Sequence, residues 1–259
     1  MSKENILSKI SKMSEEELID LARSTSDVEA LNILTENENY EVRCTVAKNK
    51  NTPVELLAVL ARDEDYWVHL LAVLAKDDEW RVREAVAKNA STSADVLAEL
   101  AKDEEFEVRW AVTRNKSTPI ETLAVLAQDK DYWVRYAVAN NRNTPADVLA
   151  MLAKDKDSHV RCAVANNRNT PVNVLAMLAK DEDIDVRIEA AANENTSAEM
   201  LAVLAKDKDY EVRQVVAWNE NTPTDVLIML TKDKNVFISE TAEEALKERK
   251  EKSKTSMER

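Results

Sequence analysis

Two spacings of apolar residues alternate along most of this chain. One segment reads L-A-x-L-A, as in Leu149, Ala150, Leu152 and Ala153; the next places Val160, Ala163 and Val164 at i, i+3 and i+4. Each marks one face of a helix. A short acidic turn, Asp155-Lys156-Asp157, separates them, and its second acid is placed to cap the helix that follows. The pair then recurs. Val-Arg begins at Val82, Val108, Val134, Val160, Val186 and Val212, 26 residues apart, with Val42 before them and the degenerate Ile238-Ser239 after. Units open at Ser26, Thr52, Thr92, Thr118, Thr144, Thr170, Thr196 and Thr222. Two short helices cannot bury their faces alone, but stacked neighbours can. The expected fold is an all-α solenoid of two-helix repeats around one continuous core.

The connections carry their own pattern. All five prolines, Pro53, Pro119, Pro145, Pro171 and Pro223, directly follow a unit's opening threonine. That reads as a threonine N-cap with proline at the first helical position. An acid three residues after the threonine (Glu55, Asp95, Glu121, Asp147, Glu199, Asp225) resembles a capping box, and Ser14 with Glu17 forms another. Second helices end in Asn-x-Asn or Asn-x-Ser. Asparagine tolerates the left-handed conformation, so Asn141, Asn167, Asn193 and Asn219 are expected to close these helices as glycine usually does. An aromatic stands two residues before the valine in Tyr40, Tyr66, Trp80, Phe106, Tyr132 and Tyr210; its recurrence suggests a core position.

The pattern D-x-D-x-x-V-R-x-x-V-A-x-N-x-x-T-P-x-x-x-L-x-x-L-A resembles the leucine-rich repeat variant family and, more loosely, HEAT repeats. The match covers about residues 26–240. The resemblance implies a right-handed superhelix in which one helix of each pair can be 3₁₀. The family's founding member carries an iron–sulfur cluster on an N-terminal cysteine cluster. Cys44 and Cys162 are isolated and cannot supply four thiolates, so no cluster or other cofactor is expected. Residues 1–25 read as a helical cap and residues 241–259 as a charged, solvated final helix, the whole forming one continuous domain, expected to be a monomer.

The chain has no glycine. Glycine-rich phosphate loops, the dinucleotide fingerprint and the G-x-S-x-G elbow are therefore excluded. A net charge of −13 disfavours nucleic acid, since phosphate affinity comes from Lys and Arg. The separated cysteines suggest free thiols in a reducing compartment. With no long apolar run and no leader-like start, a cytoplasmic protein without a membrane partner is expected.

The array has one break. Val82 follows Val68 by only 14 residues, across YWVHLLAVLAKD between Tyr66 and Asp77. The second helix of one unit runs into the first helix of the next, which predicts one helix over 68–75 and a truncated repeat near 66–79. A tolerated deletion and a hinge both fit.

Two sets of residues are candidates for chemistry. Arg43, Arg83, Arg109, Arg135, Arg161, Arg187 and Arg213 recur once per unit, as do Asp63, Asp103, Asp129, Asp155, Asp181, Asp207 and Asp233. The HEAT resemblance implies an Asp–Arg ladder between neighbours, and the planar guanidinium suits it. Calcium wants six to eight oxygens and is a poor match; no metal site is expected. The second set is variable: on each second helix the residues before Val, after Arg and after Val-Ala lie at i, i+3 and i+7, on one face. That stripe holds Trp67, Trp110, Arg114, Trp133, Tyr136, Asn140, His159, Cys162 and Trp218. Tryptophan, tyrosine and arginine are enriched at binding hot spots. If second helices line the concave side, as in HEAT arrays, the stripe is a groove for a protein or peptide. The alternatives are an enzyme resembling HEAT-like DNA glycosylases, with Glu107 beside the tryptophans, a Cys162–His159 nucleophile, and a plain structural spacer.

Overall fold

The computed structural model describes residues 3–60 and 68–257. Among them the chain forms 19 helices and no strand. It divides into two compact units, Met1–Leu126 and Ala127–Arg259. Within each unit a first helix of seven residues, such as Ala146–Leu152, is followed by a second helix of nine, such as Ser158–Asn166. Both kinds are α-helical rather than alternating with 3₁₀. The first helix already closes i→i−4 bonds from its start, with Leu149 N donating to Pro145 O at 3.0 Å.

Second helices stack on second helices, as Ser158–Asn166 does on Ile184–Ala192, and each first helix leans on the second helix of its own unit. Leu149, Leu152, Val160 and Val164 are at most 1% exposed. Leu175, Leu178, Leu201 and Leu204 repeat that burial, and Leu97 and Leu123 do so in Met1–Leu126. Each such leucine contributes about 1.5–3 kcal/mol of transfer free energy.

The loops differ from the sequence expectation in three ways. First, the opening threonine does not cap the next helix. Thr144 donates its hydroxyl to Val138 O at 2.6 Å, and Thr92, Thr118, Thr170, Thr196 and Thr222 make the same backward bond. The threonine thus satisfies an orphan carbonyl of the helix that ends. Pro145, Pro171 and Pro223 themselves hold the N-cap position, extended at ψ near 150° and without a side-chain bond. Where serine replaces proline, at Ser93 and Ser197, the hydroxyl accepts from the third amide. Among the described residues the complete reciprocal box is the one at Ser14 and Glu17.

Second, the asparagines are not left-handed. Asn141, Asn167, Asn193 and Asn219 lie at φ −65° to −73° and ψ 123° to 130°. Their work is done by the side chain. Asn167 Nδ2 donates to Ala139 O at 2.7 Å and Asn141 O at 3.1 Å, both in the preceding repeat. Its Oδ1 accepts from Asn169 N at 2.9 Å. Asn115 and Asn193 repeat this buried arrangement, and Asn49 and Asn219 match it closely. The turn needs an amide and no positive φ, which explains why a chain without glycine closes so many tight loops.

Third, the recurring aromatic is not core. Phe106 and Tyr210 are exposed, while Trp80 and Tyr132 are half-buried. Two residues before the buried valine lies about 200° around a helix, away from the core face.

Near the break, a helix runs Val68–Leu74 and Ala75 N bonds Leu71 O at 2.8 Å, so no asparagine loop interrupts 68–75. Leu71 and Leu74 are buried. This helix packs on Tyr40–Ala47, as a second helix does, and on Trp80–Lys88, as a first helix does. It serves both roles, the arrangement expected of a fusion. Tyr66 and Trp67 lie outside the described residues.

The last helix, Val236–Met257, is tied down further than its charge suggested. Ile238 and Ala242 are buried against the two preceding helices. Arg249 donates to Thr222 O at 2.6 Å and Glu220 O at 2.7 Å, both in the loop that precedes helix Thr224–Leu230.

Candidate functional site

The arginines sit on the second turn of each second helix, where only their tips reach the acidic turns. Arg161 meets Asp181 in a fork, Nε to Oδ2 at 2.7 Å and Nη2 to Oδ1 at 2.8 Å. Arg83–Asp103, Arg135–Asp155 and Arg213–Asp233 are alike, and Arg187 adds Asp209 to its Asp207 pair. Each arginine also spans its own turn through Nη1, as Arg109 does to Asp103 O at 2.8 Å and Glu104 O at 2.9 Å. Asp129 accepts from Asp131 N at 2.8 Å. Hydrogen bonding to aspartate raises the pKa of Arg83, Arg135, Arg161, Arg187 and Arg213 against the effect of burial. Burial works to raise Asp103, Asp155 and Asp181, but the arginine and backbone hydrogen bonds outweigh it, and these carboxyls end below their usual range. With their donors so occupied, Arg83, Arg135, Arg161, Arg187 and Arg213 present no free fork for a ligand phosphate. Among the described residues no group of three or more His, Cys, Asp or Glu could hold a metal ion.

The variable stripe is different. In Met1–Leu126, Trp110 is half-buried and the Arg114 guanidinium lies 4.6 Å from its ring centroid, a cation–π contact one helical turn apart. In Ala127–Arg259, Trp133 is 48% exposed. Tyr132 lies 4.7 Å from it, and Tyr136 meets it edge-on at 6.1 Å. Tyr132 also reaches His159 of the next repeat, at 6.4 Å between centroids. Asn140 follows on the same face and donates to Tyr136 O at 3.1 Å. Trp218, 61% exposed, stands apart near the chain's end. Tyr132, which the sequence reading assigned to the core, is thus part of the cluster. The signal that could have placed it is its proximity in sequence to Trp133.

The surroundings of His159 and Cys162 disfavour a nucleophile. His159 Nδ1 faces Asp157 at 3.1 Å, the residue that also caps its helix. Burial, followed by Asp183, Asp185, Glu189 and Asp181, pushes the Cys162 thiol up to about 12. An activated thiol needs the reverse. Cys44 is buried, and both cysteines are free.

A second surface escaped the sequence reading. In Ala127–Arg259 the variable residue between the two core leucines points outward from the first helices, leaving Met151, Met177, Val203 and Met229 exposed. Its signal was an apolar residue between two core leucines, in most units.

The geometry of stacked two-helix repeats has a match among solved proteins. A leucine-rich repeat variant with a novel repetitive structural motif aligns at TM-score 0.57 and 24% identity, over 92% of this chain and 88% of that one. The leucine-rich repeat variant family model matches residues 40–65. The fold is that of a leucine-rich repeat variant. An engineered protein and the archaeal HEAT-like repeats protein from Thermococcus onnurineus NA1 align more distantly. Their TM-scores are 0.43 and 0.37, their identities 19% and 12%; 95% and 91% of this chain align with 98% and 96% of theirs. None of the curated proteins matches. In this chain the residues that recur build the array, while the aromatic stripe varies from repeat to repeat. No helix among the described residues is long and apolar enough to cross a membrane.

Proposed function

We propose that the chain is a binding scaffold for a protein or peptide segment, and that the aromatic stripe on the second helices of Ala127–Arg259 is its contact surface. One observation carries this reading. Trp133 stands half exposed against Tyr132 and Tyr136, in a position that the repeat does not require to be aromatic. Glu107, His159, Asp185 and Glu211 occupy the same place in sister units. A rigid aromatic pair presents large area at small entropic cost, as hot spots do. The Trp110–Arg114 pair offers a similar contact in the first unit. An overall charge of −13 suits a protein partner better than nucleic acid, and free thiols suit the cytoplasm.

The test is a pull-down from matched lysate with wild type beside Trp133→Ala and Tyr136→Ala. Loss of the same partners in both variants, at unchanged thermal stability, supports the stripe. Identical partner lists from all three proteins overturn it. A second reading places the contact on the outward Met151 and Met177, since methionine adapts to varied apolar surfaces. Met151→Glu with Met177→Glu then removes the partners that Trp133→Ala leaves bound.

A further inference from the structure

The face that carries Trp133 and Tyr136 runs down its helix to Asn140, and there it opens into a hollow of about 390 Å³. Asn140, Arg142, Asn166, Asn167, Arg168 and Asn169 line it. This is a polar site with two guanidiniums in a strongly acidic protein. Among the described residues no carboxylate pairs with Arg142; Arg168 meets one only at 3.7 Å, the exposed Glu194. The buried asparagine Asn167 spends its amide on the ladder and fixes the floor.

The arginines are not a requirement of the fold. Basic residues favour helix C-termini in general, but the same loop position holds Glu194 and Glu220 in the next two repeats. The hollow therefore combines two donors that the array can do without and that local acids leave largely unneutralised. Guanidiniums recognise planar carboxylates and phosphates through two parallel bonds.

We propose that this hollow takes an anionic side chain of the same peptide whose aromatic or aliphatic residue rests on Trp133 and Tyr136. The proposal rests on the binding reading above and names the partner's chemistry. Spacing adds a constraint. Trp133 and Asn140 are seven residues apart on one helix, about 10 Å at 1.5 Å per residue. An extended peptide advances about 3.3 Å per residue. The anionic residue then falls about three positions from the apolar anchor, in a segment lying along the second helix. Carboxylate and phosphate share this chemistry, and the experiment separates them.

Fluorescein-labelled octapeptides in a Ser/Ala background, each with one Phe, are titrated against the full chain by anisotropy. Three positions after Phe they carry Glu, phosphoserine or Gln; a fourth peptide places Glu directly after Phe. The expected result is at least tenfold tighter binding of the Glu or the phosphoserine peptide than of the Gln peptide, and weaker binding of the adjacent-Glu peptide. The stronger of the first two identifies the anion. Arg142→Glu with Arg168→Glu, charges that sister loops already bear, should abolish that preference without moving the melting temperature. If the Glu, phosphoserine and Gln peptides bind equally, yet all lose affinity in Trp133→Ala, the hollow is overturned and the aromatic surface stands. If no peptide binds, or Trp133→Ala changes nothing, both fall.

Discussion

A second helix such as Ser158–Asn166 is fastened to its neighbours at both ends, by opposite chemistry. At its N-terminal end an arginine forks onto the aspartate of the next turn, and the side chains of Arg161 and Asp181 are each 11% exposed. At its C-terminal end a neutral asparagine reaches back to two carbonyls of the previous repeat. Both ladders satisfy groups that stacking would otherwise leave buried and unpaired. They differ in what failure costs. Removing one partner of the ionic ladder strands a desolvated charge, whereas removing the amide strands neutral carbonyls. A solenoid built this way has one edge that responds to pH and one that does not.

The largest expected effect is at the ionic edge. Arg161→Ala should cost about 3 kcal/mol or more, read from urea denaturation, because Asp181 keeps its burial and loses both forked bonds. Replacing the pair together, Arg161→Met with Asp181→Leu, should recover most of that loss. A loss in Arg161→Ala well under 1 kcal/mol would mean that water screens the pair as it does surface bridges, and the contrast between the edges would disappear.

Next is the amide edge. Asn167→Ala deprives Ala139 O and Asn141 O of the Nδ2 donor, and should cost about 2 kcal/mol. The cost should be the same at pH 7 and pH 5. A cost that changes over that range would show that the asparagine is coupled to a charge.

The smallest effect is the pH dependence itself. Asp103, Asp155, Asp181 and Asp233 have carboxyls held below the ordinary value. A depressed folded pKa contributes stability that is present above the unfolded pKa of about 3.9. That stability is lost as pH falls through the folded pKa. Melting temperature should hold from pH 7 to about 5 and fall below about 4. The Arg161→Met, Asp181→Leu protein should lose slightly less on acidification, and Asn167→Ala as much as wild type. Equal acid sensitivity in all three would sink the ionic ladder as the source.

Much of this was legible in the residue pattern, unevenly. The two-helix unit, the core positions Leu149, Leu152, Val160 and Val164, and one helix over 68–75, observed as Val68–Leu74, follow from the residue pattern alone. Charge recurrence pointed at the arginines, since Arg and Asp repeating in phase have few structural uses. The asparagines misled. Asparagine after a helix has two local uses, a left-handed backbone or a side-chain bond, and only the position of the neighbouring repeat's carbonyls chooses between them. The threonines misled likewise, because a hydroxyl can donate backward as easily as accept forward. Arg142 and Arg168 carried no signal in the residue pattern; the fold sets their two loops side by side around a hollow.

By itself, then, the sequence determined what repeats: an all-α array with a period of 26, its core, and the phase of its one break. Those are local and periodic quantities, written in the spacing of apolar residues. The tertiary structure decided which groups at each helix end meet across the repeat boundary, and which exposed side chains share a surface. Such contacts join residues 20 to 28 positions apart. Spacing alone cannot assign them, because a polar side chain's partner is chosen by three-dimensional proximity and by the cost of leaving either group unpaired.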